Sequence, residues 1–239
     1  DLHNKCYGKE NERLLAAIRN QNPDFVLIAG DVLTANKKAP LKPALELLER
    51  LGGEYPVYYG NGNHEQRMKE CPGRYRYSYE NYRRELKEAG VVFLENESAE
   101  VPLNASFGEK TVRITGLEIP LSCYKHFRKG QLAPGEIRRR VGRCEARSCQ
   151  ILMAHDPSYV KEYKEWGADL VLCGHLHGGL VRIPGITGLI TPALEWFPKY
   201  SGDMYREGDT VIVVSKGLGT HTVNFRFLNP AEVVVLHLI

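Results

Sequence analysis

The sequence predicts an α/β protein with two packed sheets, the first mainly parallel and the second turning antiparallel near its end. Three observations predict it. Helical and β-rich segments alternate through the first part of the chain. The second half is β-rich, with little helix between its later runs. Polar residues able to bind metal recur just past the ends of the strands so found.

Taken in order, Glu10 to Asn20 carries Leu14, Leu15 and Ile18 at helical spacing. Pro23-Asp24 then punctuates the chain before the apolar run Phe25 to Ala29, which reads as a buried strand. The cycle repeats: Leu41, Leu45, Leu48 and Leu51 share a helical face, Gly52-Gly53 is expected to end that helix, and Val57 to Tyr59 is a short strand. A third helix over Tyr79 to Ala89 stops at Gly90, before a strand at Val91 to Leu94. Strands joined through helices of this length need crossover connections, so they pair in parallel. Beyond them Thr111 to Thr115, Gln150 to Ala154, Asp169 to Cys173, Thr210 to Val214, Val223 to Phe227 and Glu232 to Leu238 read as strands of a second sheet. No repeat or low-complexity tract interrupts the chain, and one domain over residues 1–239 is expected.

Lys plus Arg number 32 and Asp plus Glu 29, a formal net charge of +3, and 43% of residues are hydrophobic. That is an ordinary globular composition. No long block of like charge occurs, so there is no electrostatic case for a dedicated nucleic-acid or membrane-surface binder. Arg138 to Arg140 reads as a solvated helix or loop face. No apolar run approaches the roughly 18 residues of a membrane span, and no signal peptide is present. Because the chain opens on Asp1, an upstream anchor or export signal stays compatible with it, and location is undetermined by the residues. Six cysteines (Cys6, Cys71, Cys123, Cys144, Cys149, Cys173) without a C-x-x-C pair speak against structural zinc. Cys173 is expected in the core, and Cys144 and Cys149 could pair in an exported protein.

The chemistry lies at the strand ends. Asp1-Leu2-His3 opens the chain, Gly30-Asp31 follows the first strand, and Gly62-Asn63-His64-Glu65 follows the second. His155 follows Gln150 to Ala154, and Gly174-His175-Leu176-His177 follows Asp169 to Cys173. Each group has an ordinary reading by itself: an Asp after a strand caps a helix, Asn-His after Gly makes a turn, and a strand-end His packs. Five such groups, all at strand ends, point together to metal. Two carboxylates, one amide oxygen and four imidazoles are too many donors for one tetrahedral zinc. They suit two divalent ions about 3.5 to 4 Å apart that share one carboxylate. Asp31, between the histidine clusters, is the natural bridge. The absence of thiolate favours Mn, Fe or Zn, with Mg admitted, over a soft-metal site.

These five blocks, Asp-x-His, Gly-Asp, Gly-Asn-His-Glu, a lone His and Gly-His-x-His, resemble those of the calcineurin-like metallophosphoesterase superfamily. Gly178-Gly179, Phe197-Pro198-Lys199-Tyr200 and Ser215-Lys216-Gly217-Leu218-Gly219 extend the resemblance toward its bacterial branch of membrane-associated or exported phosphoesterases. Gly60-Asn61 is a decoy, since only Gly62-Asn63 is followed by His-Glu. The resemblance implies a four-layer α/β/β/α sandwich of two mixed sheets flanked by helices, its first strand truncated because Asp1 would stand at that strand's end. It implies a metal site of Asp1, His3, Asp31 and His177 and a second of Asp31, Asn63, His155 and His175. It also implies hydrolysis of a phosphodiester or phosphomonoester by a hydroxide bridging the two ions.

His64 would face the substrate, stabilising phosphoryl oxygens or protonating the leaving group. Many relatives place an Asp three residues after the bridging Asp to orient this histidine, and here that position is Thr34. His64 is then expected to lean on a carboxylate elsewhere or to act with less help. Glu65 is expected to support the loop. Arg182 and Lys199 read as surface charges before phosphate contacts, His221 as a cleft or packing residue, and Tyr75, Tyr77, Tyr79 and Tyr82 as a cleft wall or simple packing. The partners implied are a phosphoester, lipid-linked in some members of the branch, and a membrane reached through a segment upstream of Asp1; a monomer is expected. A non-catalytic metal-binding scaffold on the same fold is the competing reading, although scaffolds lose ligands and this chain keeps all seven. A nuclease is the third, and the near-neutral charge opposes it.

Overall fold

The computed structural model describes residues 1–103, 110–125, 130–145, 148–183, 187–191, 196–220 and 225–238. In chain order the elements are α1 (Glu12–Arg19), β1 (Val26–Ala29), α2 (Lys42–Glu54), β2 (Val57–Gly60), α3 (Asn63–Glu70), α4 (Tyr79–Glu88), β3 (Val91–Phe93), β4 (Ser98–Leu103), β5 (Lys110–Leu117), α5 (Glu136–Val141), β6 (Cys149–Ala154), α6 (Val160–Trp166), β7 (Leu170–Cys173), β8 (Val181–Ile183), β9 (Thr187–Ile190), β10 (Asp203–Glu207) and β11 (Thr210–Val214).

The first sheet runs β1-β2-β3, all parallel, with Val26 opposite Val57 and Val57 opposite Val91. The second runs β10-β11-β7-β6-β5-β4; its four central strands are parallel, and the two outer ones, β10 and β4, pair antiparallel. Only the second sheet is therefore mixed among the described residues. A hairpin of β8 and β9 stands apart.

Period-two alternation shows how the sheets stack. In β6, Ile151 and Met153 face the first sheet, in a core with Leu94, Val112, Leu172 and Val213 packed on Leu27, Ala29 and Tyr58. Leu152 and Ala154 face the other way, onto Ile137 and Val141 of α5 and Val160 and Tyr163 of α6. On the far side of the first sheet, Leu14, Leu15, Leu47, Leu48, Leu51 and Leu86 of α1, α2 and α4 cover Val57, Tyr59, Val91 and Phe93. Three cores between four layers give the α/β/β/α sandwich. A cavity of about 1400 Å³ opens beside β1, walled by Leu27, Leu48, Ile151, Leu172 and Val234 among others; the outer edge of β1 has no strand partner among the described residues. No described helix is long and apolar enough to cross a membrane.

Several expectations are corrected. Helix α2 does not stop at Gly52-Gly53 but runs to Glu54. Gly52 is there for contact: a Cβ on it would overlap the Ala89 carbonyl oxygen in the turn after α4. The helix ends where Pro56 forces Tyr55 into extended backbone. Asn63-His64 is no turn but opens α3. Residues 232–238 form no strand: Val233, Val234, Val235 and Leu236 are all 39–43% exposed, without the two-faced contrast that fixes a strand's register. Of Val223 to Phe227, residues 223 and 224 lie outside the described ones, and Phe227 makes only an isolated bridge to Val181.

Candidate metal centre

Strands β1, β2, β6 and β7 are parallel within their sheets, and their C-terminal ends all reach one edge of the sandwich. Each delivers its motif there: Gly30-Asp31 after β1, Gly62-Asn63-His64 after β2, His155 after β6, and Gly174-His175 after β7. The segment Asp1 to Asn4 is laid along the same edge by Leu2 N–H donating to Asp31 O (2.8 Å) and Asn4 N–H to Val32 O (2.9 Å). On its other side Leu218 and Gly219 N–H both donate to Asp1 O at 2.8 Å.

The backbone bends sharply here. His3, Asp31, His175 and His177 all have φ between 51° and 69°, left-handed values that cost a non-glycine residue about 1–3 kcal/mol each. Neighbouring structure imposes them. Asp31 Oδ1 accepts the His64 N–H at 2.8 Å, capping α3 from another segment, and a Cβ on Gly62 would overlap that oxygen. Glu65, fully buried, holds the Asp31 loop: Oε2 accepts from Asp31 N (2.9 Å) and Gly62 N (2.9 Å), and Oε1 from Val32 N (2.9 Å), Leu33 N (3.2 Å) and Tyr59 Oη (2.8 Å). The loop-supporting role expected of Glu65 is the one it has.

Six of the seven candidate ligands fall into two compact groups. Asp1, His3 and His177 each offer one donor atom within a mutual 4.8 Å, as do Asp31, His155 and His175; a third group joins His3 and Asp31 to His64. His3 Nε2 lies 3.2 Å from His177 Nε2 and 3.6 Å from Asp1 Oδ1, and His155 Nε2 lies 3.0 Å from Asp31 Oδ2. Asp1 Oδ1, Asn63 Oδ1 and His155 Nε2 are buried without a hydrogen-bond partner among the described residues. Orphaned donors at that depth are costly alone and fit a divalent cation.

The rings are also oriented for it. Nδ1 of His155 faces Ala29 O (2.6 Å), Nδ1 of His177 faces Gly219 O (3.1 Å), and Nδ1 of His3 faces the Thr34 hydroxyl (3.1 Å). Such partners fix a ring and its tautomer in metal sites. Burial pushes His3 down to about 4 and His177 well below the usual histidine range, so both stay neutral with a lone pair to offer. Burial acts the same way on His155, but the Asp31 carboxylate outweighs it and raises the ring. Burial pushes Asp31 upward, but the charge and hydrogen bond of His155 beside it help to outweigh that, and the carboxylate is held well below its usual range.

Other expectations separate from the site. Arg182 is no surface charge: it is buried and paired with Asp203. Lys199 is exposed and paired with Glu207. Tyr79 and Tyr82 are buried in the first core, Tyr75 packs against it, and Tyr77 is exposed. His221 lies outside the described residues. All six cysteines are free; Cys144 Sγ donates to Gly167 O at 3.1 Å in place of a disulfide. His64 Nδ1 faces the Ala35 backbone N–H and Thr34 serves His3, so the orienting carboxylate expected for His64 gives way to a backbone amide. Sequence reasoning missed Tyr124, whose buried ring sits 5.3 Å from His175 and 6.2 Å from His155. Nothing in Leu121-Ser122-Cys123-Tyr124 distinguishes it from core packing.

The calcineurin-like phosphoesterase family model matches residues 1–179, which include every residue of the cluster. The chain is 25% identical over 234 residues to the uncharacterized metallophosphoesterase YkoQ of Bacillus subtilis (strain 168), covering 98% of this chain and 79% of that protein. It is 23% identical over 219 residues to the phosphodiesterase YaeI of Escherichia coli (strain K12), covering 92% of this chain and 72% of that one. Its fold is like that of the phosphopantetheinyl hydrolase PptH from Mycobacterium tuberculosis, with a TM-score of 0.53 at 15% identity, over 90% of this chain and 86% of that chain. The chain belongs to the calcineurin-like phosphoesterase family.

Proposed function

We propose that this protein hydrolyses a phosphoester, with one divalent ion held by Asp1, His3, Asp31 and His177 and a second by Asp31, Asn63, His155 and His175. The observation that carries the reading is the pair of compact groups, Asp1 with His3 and His177 and Asp31 with His155 and His175, in which Asp1 Oδ1 and His155 Nε2 are buried without a hydrogen-bond partner among the described residues. Bound there, two such ions neutralise phosphoryl oxygens and acidify water toward neutral pH. The chain does the rest. Asp31 spans both donor groups with Oδ2 while Oδ1 caps α3, so helix and carboxylate hold each other in place. The carbonyls of Ala29 and Gly219 keep His155 and His177 turned inward.

A diester is the substrate class to test first. It carries one negative charge at neutral pH, and Arg182, Lys199 and Lys69 are already engaged by Asp203, Glu207 and Glu118. The relative YaeI is named a phosphodiesterase. Metal analysis of the purified protein is expected to find two ions per chain and, with Mn²⁺ supplied, faster turnover of bis(p-nitrophenyl) phosphate than of p-nitrophenyl phosphate. Asp31→Asn should lose both ions and the activity. A metal-loaded protein that turns over neither ester would establish the scaffold reading instead.

A further inference from the structure

Helix α3 carries a cation beside its candidate ligand. With about 100° between successive residues, Arg67 stands on the helix surface between Asn63 and His64, one turn after them. Side chains of a helix lean toward its N-terminus, which brings the Arg67 guanidinium within reach of the space outside that turn. Asn63 and His64 are buried and Arg67 is half-buried, so it belongs to the outer rim of the site. Its guanidinium has no ion pair and no hydrogen bond among the described residues. The two carboxylates of α3 are engaged elsewhere: Glu65 holds the Asp31 loop, and Glu70 accepts from Gln66 Nε2 at 2.6 Å. Lys69, by contrast, is paired with Glu95 at 3.0 Å and Glu118 at 2.9 Å.

Two neighbouring segments add cations and no carboxylate. Lys37 and Lys38 follow Ala35, whose N–H meets His64 Nδ1 at 2.8 Å, and Lys125 follows Tyr124, whose ring meets His175 edge-on at 5.3 Å. All three lysines are exposed and without an ion pair among the described residues.

We propose that Arg67 is a specificity-determining residue, anchoring a rim subsite for a second anionic group that the substrate carries beyond the phosphoryl group that reacts. The inference rests on the phosphoester-hydrolase reading and narrows its substrate class. Set against two divalent ions, Asp1, Asp31 and a hydroxide leave one positive charge, which the monoanion of a diester answers. Arg67 is surplus to that balance, and a guanidinium fork matches a phosphate or carboxylate in bidentate fashion. Four residues of helix rise about 6 Å, which sets the spacing between the two anions. The substrate class is therefore a diester bearing one further phosphate or carboxylate group, in preference to a diester of two uncharged alcohols.

Calorimetric titration of the metal-loaded protein with propyl phosphate and with propane-1,3-diyl bisphosphate tests this without turnover, since the flexible chain lets the second phosphate lie that far from the first. Wild type should bind the bisphosphate at least about tenfold more tightly, and the ratio should shrink as salt rises from about 0.05 to 0.3 M. Arg67→Ala should keep wild-type metal content and melting temperature, because the guanidinium has no partner to lose, and should bring the ratio close to one. Arg67→Lys, a point charge without the fork, should keep part of it. Equal affinity of wild type for the two ligands, or a ratio that survives Arg67→Ala, overturns the subsite while the hydrolase reading stands. Equal weakening of both ligands in Arg67→Ala would put the residue on the reacting phosphoryl group and overturn it as well. Binding of neither phosphate would sink both readings.

Discussion

Five donors converge on the Glu65 carboxylate, from Asp31, Val32, Leu33, Gly62 and the Tyr59 hydroxyl, and that residue sets the path of the loop carrying Asp31. Burial and the nearby Asp31 charge push its carboxyl upward, and hydrogen bonds from Tyr59 and the backbone pull part of the way back. Glu65→Gln is nearly isosteric, yet its NH₂ would face N–H groups that have no other acceptor among the described residues. With each buried unmatched donor costing about 1–3 kcal/mol, the variant should lose roughly 2–5 kcal/mol in urea denaturation and bind metal more weakly. A stability within about 0.5 kcal/mol of wild type would show that the loop holds itself. At this scale most of the candidate site was legible, because residue types able to bind metal recur together at strand ends although each has an ordinary reading alone. The double use of Asp31, as cap and as candidate ligand, was not legible, since sequence makes those readings look like alternatives. Nor was the Ala35 amide, because a backbone donor leaves no trace in residue identity.

Elements were legible where burial is two-sided and obscure where it is not. The apolar runs that became β1, β6 and β7 lie inside the sandwich, and β6 is covered on both faces. Edge strands β4 and β10 escaped notice because they carry Pro102, or Asp203 and Arg206, on exposed positions, with Glu207 half-exposed. Helices α5 and α6 are short and bury only a few residues each. Residues 232–238 misled in the opposite direction, being β-rich in composition yet without a ladder. The turn after β7 shows how closely element ends must fit. A Cβ on Gly174 would stand 2.5 Å from Asp1 Oδ2, the oxygen that accepts the His175 N–H. Gly174→Ala should therefore displace Asp1 and lower metal affinity about 10- to 100-fold while the protein still folds, which titration of the metal-free form followed by circular dichroism will check. Unchanged affinity would mean that the Asp1 carboxylate is not held by this turn.

At the scale of the whole molecule, the site joins the two sheets. Asp31 and Asn63 come from the first, His155 and His175 from the second, and Asp1 with His3 lies against the ends of both. A formal charge of +3 counts Asp1 and Asp31 as ordinary carboxylates, but both are buried at this seam with orphaned or imidazole-facing oxygens. Without a cation, the seam combines desolvated carboxylates, inward-facing lone pairs and four left-handed residues, all of which favour letting the sheets part. A bound ion reverses that balance, since it binds the closed arrangement and not the unfolded chain. At a free metal concentration one hundred times the dissociation constant, the stabilisation is about 2.7 kcal/mol, or roughly 5–10 °C in melting temperature for a chain of this size. Differential scanning fluorimetry of chelator-treated protein with and without Mn²⁺ should show that rise. Asp31→Asn should melt near the chelated wild type and respond little to the metal. An equal shift in Asp31→Asn would place the stabilising ion elsewhere and remove the seam as its site.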